Sequence, residues 1–406
     1  MYAVLAFYTF HTAYTNVNKL QKHQESNGLP NPYEYKFGKY KGLMKYILIW
    51  TMFNDTENKI GEGQKAFIDR DCRYVNCYLT TKKDFLNNDV TNFNAIVFDI
   101  NKIKMWKKMF FPKLRSYEQK YIFYSDVSSD DVPICNINMD NYFNWTWTYK
   151  INSDIVSPFI EVKDLKGNVV APRPVVNWNS NMTVLDEDEI KHLKQKKKAM
   201  AWVVTKCHTR NNRLLLARRL RRGFEQNDLI FDIYGCGHKN CPKGGCMKAI
   251  EREYYFYFVA EASFDEDYVT DEVLAAYHHY AVPVVLGGAN YRRFLPEGSY
   301  INAESTSSDK LIALIEYIIK NPKIYYSFHR WRKNYVINLV EKFRGICQVC
   351  EFLNNKYRFE VSTVYKDFRR WWYSRPLYER CFPKSLESMS EVLSFVNITK
   401  PTHEFT

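Results

Sequence analysis

The chain has 406 residues and a formal net charge of +13, with 46% hydrophobic and 17% aromatic residues. This length predicts two domains of roughly 150 to 200 residues each, and the aromatic content excludes a largely disordered chain. The charge is compatible with a membrane surface or an anionic nucleotide diphosphate, but no basic stripe interleaved with stacking aromatics occurs, so a nucleic-acid partner is not expected.

Residues 1–43 form a separate N-terminal segment. Met1 to Phe10 are apolar, but the run is short of the ~17 to 25 residues that a spanning helix needs. Two interpretations stay open: a truncated membrane anchor followed by a stem, and an ordinary disordered leader. The polar stretch that follows contains Gly28-Leu-Pro30-Asn-Pro32, which favours a linker.

Residues 44–195 are predicted to form a first α/β domain. Apolar runs bounded by turn residues predict buried strands at 46–51, 95–100 and 120–124, and the polar connections between them favour alternating strands and helices. An aromatic strand from Phe143 to Tyr149 follows and continues into Asn152-Ser-Asp-Ile155.

A charged helix over Asp186 to Lys198, with solvated lysines at its end, is expected to join this domain to a second one, 196–345. The second domain begins with a buried strand at Ala201 to Thr205. Arg213 then opens a predicted helix just beyond that strand, where the strand end, free N–H groups and a guanidinium can converge on one anion.

A further strand over Phe231 to Tyr234 leads into a loop, Cys236 to Cys246, that contains three cysteines and His238. His238 is either a metal ligand or a bystander in a disulfide-stapled loop, and the spacing alone leaves both open.

Tyr254 to Tyr300 predicts a strand, a helix behind a Thr270 cap, and a strand ending in Gly287-Gly288. Ligands of such βαβ units lie beyond the carboxyl ends of the strands, where Glu261, Ser263 and Gly287 fall, and the helix start suits a phosphate. Periodicity alone leaves a nucleotide-binding unit and a purely structural unit equally open.

The last part of the chain, 346–406, follows predicted helices over 308–321 and 325–343. It contains Cys347-Gln-Val-Cys350 and an aromatic segment from Tyr365 to Trp372, and Ser385 onwards is expected to fray. The chain also has N-glycosylation sequons, at Asn54, Asn144, Asn181 and Asn397. Together, the cysteines and sequons favour an oxidising, secretory compartment.

The motifs of the second domain occur in a recognisable order. Asp267-Tyr-Val-Thr270, Val282 to Gly287, Asn290-Tyr291, Phe294, Pro296 and Ser299-Tyr-Ile301 resemble the donor-binding signature of the α1,3/α1,4-fucosyltransferases, glycosyltransferase family 10. The Phe143 to Ile155 segment, the Cys236 loop and the late C-x-x-C are similar to elements of that family too. The resemblance covers about residues 44 to 381.

This resemblance implies a fold and a reaction. The fold is of the GT-B type: two Rossmann-like α/β domains that face a cleft, with an acceptor-side domain at 44–195, a GDP-fucose-binding domain at 196–345, and a C-terminal segment that returns to the first domain. The reaction is inverting transfer of L-fucose from GDP-fucose, in α1,3 linkage, to N-acetylglucosamine-containing glycans of glycoproteins. The resemblance implies no metal and no cofactor beyond the donor, and a type II protein of the Golgi membrane with a lumenal catalytic domain.

It also assigns residues. The donor-binding candidates are Arg213, Tyr234, Glu261, Ser263, Tyr268 and Asp271. The cleft candidates are Tyr149 and Asp154. Cys347 and Cys350 are expected to pair with Cys72 and Cys77, and Cys236, Cys241 and Cys246 are further disulfide candidates.

Three positions depart from the family pattern. Ala262 replaces an Asn, Glu272 replaces a phosphate-pairing Lys, and Val127 stands where the family has its base. Glu272 must swing away or donor affinity falls, and Asp126 or Asp130 is the replacement base. Two hypotheses therefore remain: an active fucosyltransferase, and an impaired member that binds a glycan or a partner protein.

Overall fold

The computed structural model describes residues 33–36, 40–51, 60–100, 111–304, 307–360 and 363–373. The predictions for the apolar N-terminus, for Asn54 and Asn397, and for the end of the chain fall outside these ranges. A short antiparallel hairpin of β1 (Tyr33–Lys36) and β2 (Tyr40–Leu43) precedes the first domain. Within the described ranges, no helix combines the length and the apolar character that crossing a bilayer requires.

Six parallel strands form the sheet of the first domain. They are β3 (Lys45–Ile49), β4 (Cys77–Thr80), β5 (Ala95–Asp99), β6 (Lys120–Ser125), β7 (Trp145–Thr148) and β8 (Ile155–Val156). Their spatial order is β4-β3-β5-β6-β7-β8. β5 and β6 are buried along their whole length, as is typical of a parallel sheet covered on both faces. The short helix α1 (Lys65–Ile68) lies between β3 and β4 in sequence.

The connection to the second domain differs from its prediction. After the hairpin of β9 (Ile160–Asp164) and β10 (Val169–Ala171), helix α2 spans only Glu187–Leu193 and begins with a capping box between Asp186 and Glu189. Lys196 is not on a solvated face. It is buried, and its Nζ donates to the carbonyls of Glu251 and Tyr254 at 2.9 and 2.8 Å. The prediction was wrong because a pattern of charges cannot reveal buried carbonyl acceptors.

A second parallel sheet forms the second domain. Its strands are β11 (Lys198–Val203), β12 (Phe231–Tyr234), β13 (Tyr254–Ala260), β14 (Val282–Leu286) and β15 (Ile301–Asn302), in the order β12-β11-β13-β14-β15. The connecting helices are α3 (Arg213–Gln226), α4 (Cys246–Glu253) and α5 (Glu272–His278), and α6 (Ser308–Lys320) follows β15. The expected pair of Rossmann-like α/β domains, a GT-B type fold, is confirmed.

The prediction of one helix over 325–343 was wrong. The chain forms helix α7 (Pro322–Ser327) and then strand β16 (Tyr335–Leu339), which pairs antiparallel with β9. Tyr335 and Ile337 are buried, whereas Val336 and Leu339 are exposed, and this near alternation suits a strand with one covered face. The pairing partner lies far away in sequence, so local helical spacing was the weaker signal.

The end of the described chain packs on the first domain. Helices α8 (Ile346–Asn354), α9 (Lys356–Glu360) and α10 (Phe368–Trp372) follow β16. Val349 of α8 lies in a cluster with the first-domain strands, and Trp372 of α10 lies in another. Disulfides join Cys72 to Cys347 and Cys77 to Cys350. The resemblance named these four cysteines as partners but left open which bonds to which.

Candidate active site

The loops that follow strands of the two sheets contact each other at the interface between the domains. The Ser263 hydroxyl, from the loop after β13, donates to Asp130 Oδ2 at 3.2 Å, and the Ser129 N–H, from the loop after β6, donates to Asp265 Oδ2 at 2.8 Å. Because parallel strands present their carboxyl ends at one edge of a sheet, these contacts bring the ligand-binding edges of both domains together.

Asp265 is buried at this interface and was missed by the sequence analysis. Its Oδ2 also accepts a hydrogen bond from the Tyr149 hydroxyl, and Lys150 Nζ lies 4.0 Å from its Oδ1. Burial, followed by the negative charge of Asp265, raises the pKa of Tyr149 well above its ordinary value, so the hydroxyl remains a donor. The signal available in the sequence was the acidic run 265–267, but the pattern does not reveal which carboxylate is buried.

The next residues of this loop form a second contact between the domains. Asp267 accepts hydrogen bonds from the Ile151 N–H and from Arg293 Nη1, each at 3.0 Å. Tyr268 is buried, and its ring meets the Tyr149 ring edge-on at a centroid distance of 5.0 Å. The donor candidate Tyr268 and the cleft candidate Tyr149 therefore lie in direct contact.

Arg213 begins helix α3, just beyond β11. Its side chain is buried, its Nη1 donates to the Ala260 carbonyl at the end of β13, and the same nitrogen lies 3.3 Å from Glu272 Oε2. Glu272 is the first residue of α5. The guanidinium and the first residue of α5 thus lie beside each other at the carboxyl edge of the second sheet.

Glu272 does not swing away from this space. Its Oε1 accepts a hydrogen bond from Trp202 Nε1 at 2.8 Å, while its Oε2 faces Arg213. Burial raises the pKa of Glu272 to about 7, although the Arg213 charge and the Trp202 hydrogen bond act in the opposite direction. Glu272 is therefore an internal counter-ion for Arg213, the residue expected to bind a donor phosphate.

A second carboxyl group, Glu261, lies at the end of β13. It is fully buried and accepts hydrogen bonds from the N–H and the hydroxyl of Thr270 at 2.8 and 2.9 Å. Burial, followed by the charge of Glu272, raises the pKa of Glu261 to about 8. Thr270 is not the N-cap that the sequence predicted, since Asp271 occupies that position. The Thr270 hydroxyl is instead held by Glu261.

The Gly287-Gly288 turn allows this close packing. A Cβ at Gly287 would lie 3.0 Å from the Glu261 side chain, and a Cβ at Gly288 would collide with the Phe264 carbonyl. The two glycines therefore let the loop after β14 approach the loop that carries Ser263 and Asp265.

The two candidate bases lie in different surroundings. Asp126 Oδ2 is 3.0 Å from Lys342 Nζ in an ion pair, whereas Asp130 contacts the second domain through Ser263. Val127 lies between Ser125 and the rest of the loop, and its N–H donates to the Ser125 hydroxyl at 3.1 Å. Asp130 is thus the candidate base in direct contact with a donor candidate.

Two candidates lie away from this site, and a third lies at its edge. The Tyr234 hydroxyl pairs with the Tyr254 hydroxyl at 2.6 Å, so the side chain turns to a different part of the sheet. Asp154 Oδ2 accepts hydrogen bonds from Thr146 and Tyr365, which places it against the C-terminal segment and corrects its assignment to the cleft. Asp271 is exposed at the start of α5. Side-chain direction, which a motif does not encode, accounts for both differences.

The cysteine loop is stapled by disulfides. Cys241 bonds to Cys246, and Cys236 bonds to Cys207, a partner that the sequence analysis did not name. His238 faces Arg218 Nε at 3.0 Å and Arg221 Nη1 at 3.3 Å, and Cys236, Cys241 and Cys246 of its loop are all in disulfides. Among the described residues, no group of three or more histidine, cysteine or acidic side chains is arranged to hold a metal ion.

The two described sequons differ in exposure. The Asn144 side chain is buried, and its Oδ1 accepts from the Tyr121 N–H at 2.8 Å, so we do not expect a glycan there. Asn181 is exposed and stays a predicted acceptor.

Comparison with known proteins follows the same two-domain division. Residues 193–371 match the family model described as glycosyltransferase family 10 (fucosyltransferase), C-terminal, and residues 43–160 match the model described as fucosyltransferase, N-terminal. The first of these models covers the second domain and continues into the C-terminal helices, and the other covers the first domain.

The similar proteins of known function that we compared are fucosyltransferases. The chain is 29% identical over 347 residues to α-(1,3)-fucosyltransferase C of Drosophila melanogaster, covering 83% of this chain and 79% of that protein. It is 25% identical to glycoprotein 3-α-L-fucosyltransferase A of the same organism, covering 84% of this chain and 63% of that protein. It is 30% identical to 4-galactosyl-N-acetylglucosaminide 3-α-L-fucosyltransferase FUT6 of Pan troglodytes, covering 56% of this chain and 58% of that protein.

A solved α1,3-fucosyltransferase with GDP-fucose aligns with a TM-score of 0.47 at 12% identity, covering 84% of this chain and 97% of that one. The family models, which together match most of both domains, carry the assignment. The chain belongs to glycosyltransferase family 10, the fucosyltransferase family.

Proposed function

We propose that the protein transfers L-fucose from GDP-fucose, with inversion and in α1,3 linkage, to N-acetylglucosamine-containing glycans of glycoproteins. The observation that carries this proposal is the position of Arg213. It lies at the carboxyl edge of the second sheet, beside the first residue of α5, and the loop after β13 leads from there to Asp130 of the first domain. The names of the similar proteins support the linkage and the acceptor class.

Arg213 is the proposed partner of the donor pyrophosphate. A guanidinium can bind a phosphate through paired hydrogen bonds, and Arg213 Nε has no hydrogen-bond partner among the described residues. The donor is the only small molecule that the proposed reaction requires. The cation is fixed before the reaction, so it can stabilise the charge that develops on the leaving phosphate.

Asp130 is the proposed general base. It takes the proton of the acceptor hydroxyl as the oxygen forms its bond to the anomeric carbon of fucose, while the bond to the phosphate oxygen breaks and its electron pair leaves with GDP. The two events take place on opposite faces of the sugar, which inverts the anomeric centre. Asp126 is less suited to this role because Lys342 already pairs with it.

The test compares Asp130→Asn with Asp126→Asn in a transfer assay that uses GDP-fucose and a panel of glycan acceptors. Loss of a general base lowers kcat by about 10²- to 10⁴-fold, and we expect that loss in Asp130→Asn only. A larger loss in Asp126→Asn would assign the role to Asp126. Failure of the unmodified protein to transfer fucose to any acceptor would contradict the enzymatic proposal.

The second candidate function is a catalytically impaired family member that binds a glycan or a partner protein. The observation that favours it is the Arg213–Glu272 ion pair, because the Glu272 carboxylate already contacts the guanidinium that would bind the donor's pyrophosphate. In that case only the double variant Glu272→Lys/Val127→Glu transfers fucose, and the unmodified protein binds the glycan without turnover. Turnover by the unmodified protein would exclude this candidate.

We also propose that the protein acts in the lumen of the Golgi apparatus, held at its membrane by an N-terminal anchor. The disulfides that link residues 72 to 347, 77 to 350, 207 to 236 and 241 to 246 support an oxidising compartment. Expression of the full protein in animal cells, followed by imaging against a Golgi marker, tests this. A cytosolic distribution would contradict it.

A further inference from the structure

We propose that Glu272 competes internally with the donor's pyrophosphate for Arg213, so that, wherever Glu272 is ionised, this chain takes up a proton there when it binds GDP-fucose. This inference rests on the proposed function, because it concerns the same donor site. It adds a residue that sets donor affinity and makes that affinity depend on pH.

The geometry supports direct competition. Glu272 Oε2 lies 3.3 Å from Arg213 Nη1, and Glu272 Oε1 accepts from Trp202 Nε1, so the carboxylate is held in place on both sides. The guanidinium lies 5.3 Å from the Trp202 ring centre, and its other contact is the Ala260 carbonyl. A phosphate that binds Arg213 therefore comes close to the Glu272 carboxylate, and two negative charges within a few ångströms repel each other.

Charged and titratable groups of several elements face Glu272. They are Arg213 of α3, Glu261 and Tyr257 of the β13 region, Tyr291 after β14 and Asp271 beside it on α5. Arg213 is the one cation in this set, and the charge of Glu272 raises the pKa of Glu261. When both are ionised, the acids outnumber the cation before any donor arrives.

The sign of the effect follows from linkage. Without donor, Glu272 loses its proton near a pH of about 7, since burial raises its pKa to that value. With donor, the phosphate charge favours the protonated carboxyl and raises its pKa further. Affinity for GDP-fucose is therefore flat below about pH 7 and falls above it, by up to about tenfold per pH unit for one proton.

The experiment is calorimetric titration of the full protein with GDP-fucose, without acceptor, between about pH 6 and pH 9. Both phosphates of the sugar nucleotide carry only strongly acidic groups, so the ligand's charge is constant over most of this range. We expect the unmodified protein to lose affinity above about pH 7, by up to about tenfold per unit. We expect Glu272→Gln to bind with an affinity that does not fall there and that exceeds the unmodified value at the alkaline end.

Two further variants identify the titrating group. Asp271→Asn removes the neighbouring carboxylate, and its binding should retain the pH dependence. Glu261→Gln should retain it too, with the fall beginning at about the same pH, because the pKa of Glu261 is raised to about 8 and this carboxyl is still largely protonated where Glu272 ionises. A melting temperature for each variant checks that it folds.

The outcomes separate the two proposals. If Glu272→Gln keeps the same pH dependence as the unmodified protein, or if the unmodified protein binds GDP-fucose equally well across the range, the inference about Glu272 is overturned while donor binding stands. If no variant, Glu272→Gln and Glu272→Lys included, binds GDP-fucose at any pH, the proposed function itself is overturned.

Discussion

Lys196 is a single buried lysine that makes the free energy of unfolding depend on pH. Burial lowers its pKa from 10.5 to about 7, and its ammonium group is held by two backbone carbonyls. Between these two pH values the unfolded chain binds more protons than the folded one, so the contribution of Lys196 to the free energy of unfolding rises with pH.

We predict that the stability difference between the unmodified protein and Lys196→Met changes with pH. It should shift in favour of the unmodified protein by roughly 1 kcal/mol per pH unit from about pH 7 to pH 9. Chemical denaturation without reductant measures it. Lys194→Met, a change at a nearby exposed lysine, is the matched control. A difference that stays constant with pH would show that Lys196 is charged in the folded protein across this range.

The sequence could predict that Arg213 lies near the start of the helix that contains Glu272. It could not predict that the two side chains form an ion pair. A residue after one parallel strand and the start of the helix after a neighbouring strand meet at the same edge of a sheet, so the motif order alone predicted their proximity. Which side chain satisfies the guanidinium depends on rotamers and on Trp202, and no local pattern encodes those.

Among the elements, the loop after β13 connects the two domains through Asp265. Its carboxylate accepts hydrogen bonds from Tyr149 and from the Ser129 N–H, next to Asp130. Asp265 therefore positions the loop that carries the proposed base, while Lys150 balances its charge at 4.0 Å.

We predict that Asp265→Asn loosens this loop. The amide oxygen can accept hydrogen bonds but carries no charge, so the hydrogen bonds from Tyr149 and Ser129 become weaker. Lys150 keeps only the partly exposed Glu266, at 3.7 Å, as a counter-ion. Hydrogen exchange of residues 126–131 should become faster, by at least about tenfold, which corresponds to ~1.4 kcal/mol of local stability. Asp228→Asn, at an exposed site that already has a left-handed backbone, is the control. Unchanged exchange in Asp265→Asn would contradict the positioning role.

Strand β16 illustrates why element type was predicted less well towards the end of the chain. The βαβ segment from β13 to β14 pairs strands that are near in sequence, and the sequence predicted it. β16 instead pairs with β9, so that Tyr335 lies opposite Asp164. Its alternation of buried and exposed residues covers only five positions and could not outweigh helical spacing in the surrounding residues.

In the whole molecule, two neighbouring disulfides close nearly the same long loop. Cys72–Cys347 and Cys77–Cys350 span 275 and 273 residues, respectively. Once one of them has formed, the other closes only a short loop made of residues 72–77 and 347–350. The contributions of the two disulfides to stability are therefore not independent.

We predict that their removal is strongly non-additive. Replacing either cysteine pair with alanine should cost about 3 kcal/mol, as for a short loop, whereas removing the second pair as well should cost about 5 kcal/mol more, as for a long one. Denaturant unfolding of the two double variants and the quadruple variant measures this. Equal costs for the first and second removal would show that residual structure, and not loop closure, sets the effect.

The arrangement of the two domains was the part of the fold that only the resemblance supplied. Apolar runs predicted the strands of each sheet, because each sheet is buried on both faces. The approach of one sheet edge to the other rests on contacts such as Ser263 to Asp130, which join residues 133 positions apart. Local periodicity carries no information about such contacts.

The role proposed for Arg213 is to hold the pyrophosphate of GDP-fucose at the carboxyl edge of the second sheet. Its most direct test is the affinity for GDP-fucose of the unmodified protein, of Arg213→Gln and of Arg219→Gln, an exposed arginine on the same helix. We predict that Arg213→Gln binds about 10- to 100-fold more weakly, as expected when a charged hydrogen bond worth ~1.5 to 3 kcal/mol is lost, and that Arg219→Gln binds normally. Equal affinity of Arg213→Gln and the unmodified protein would contradict the claim.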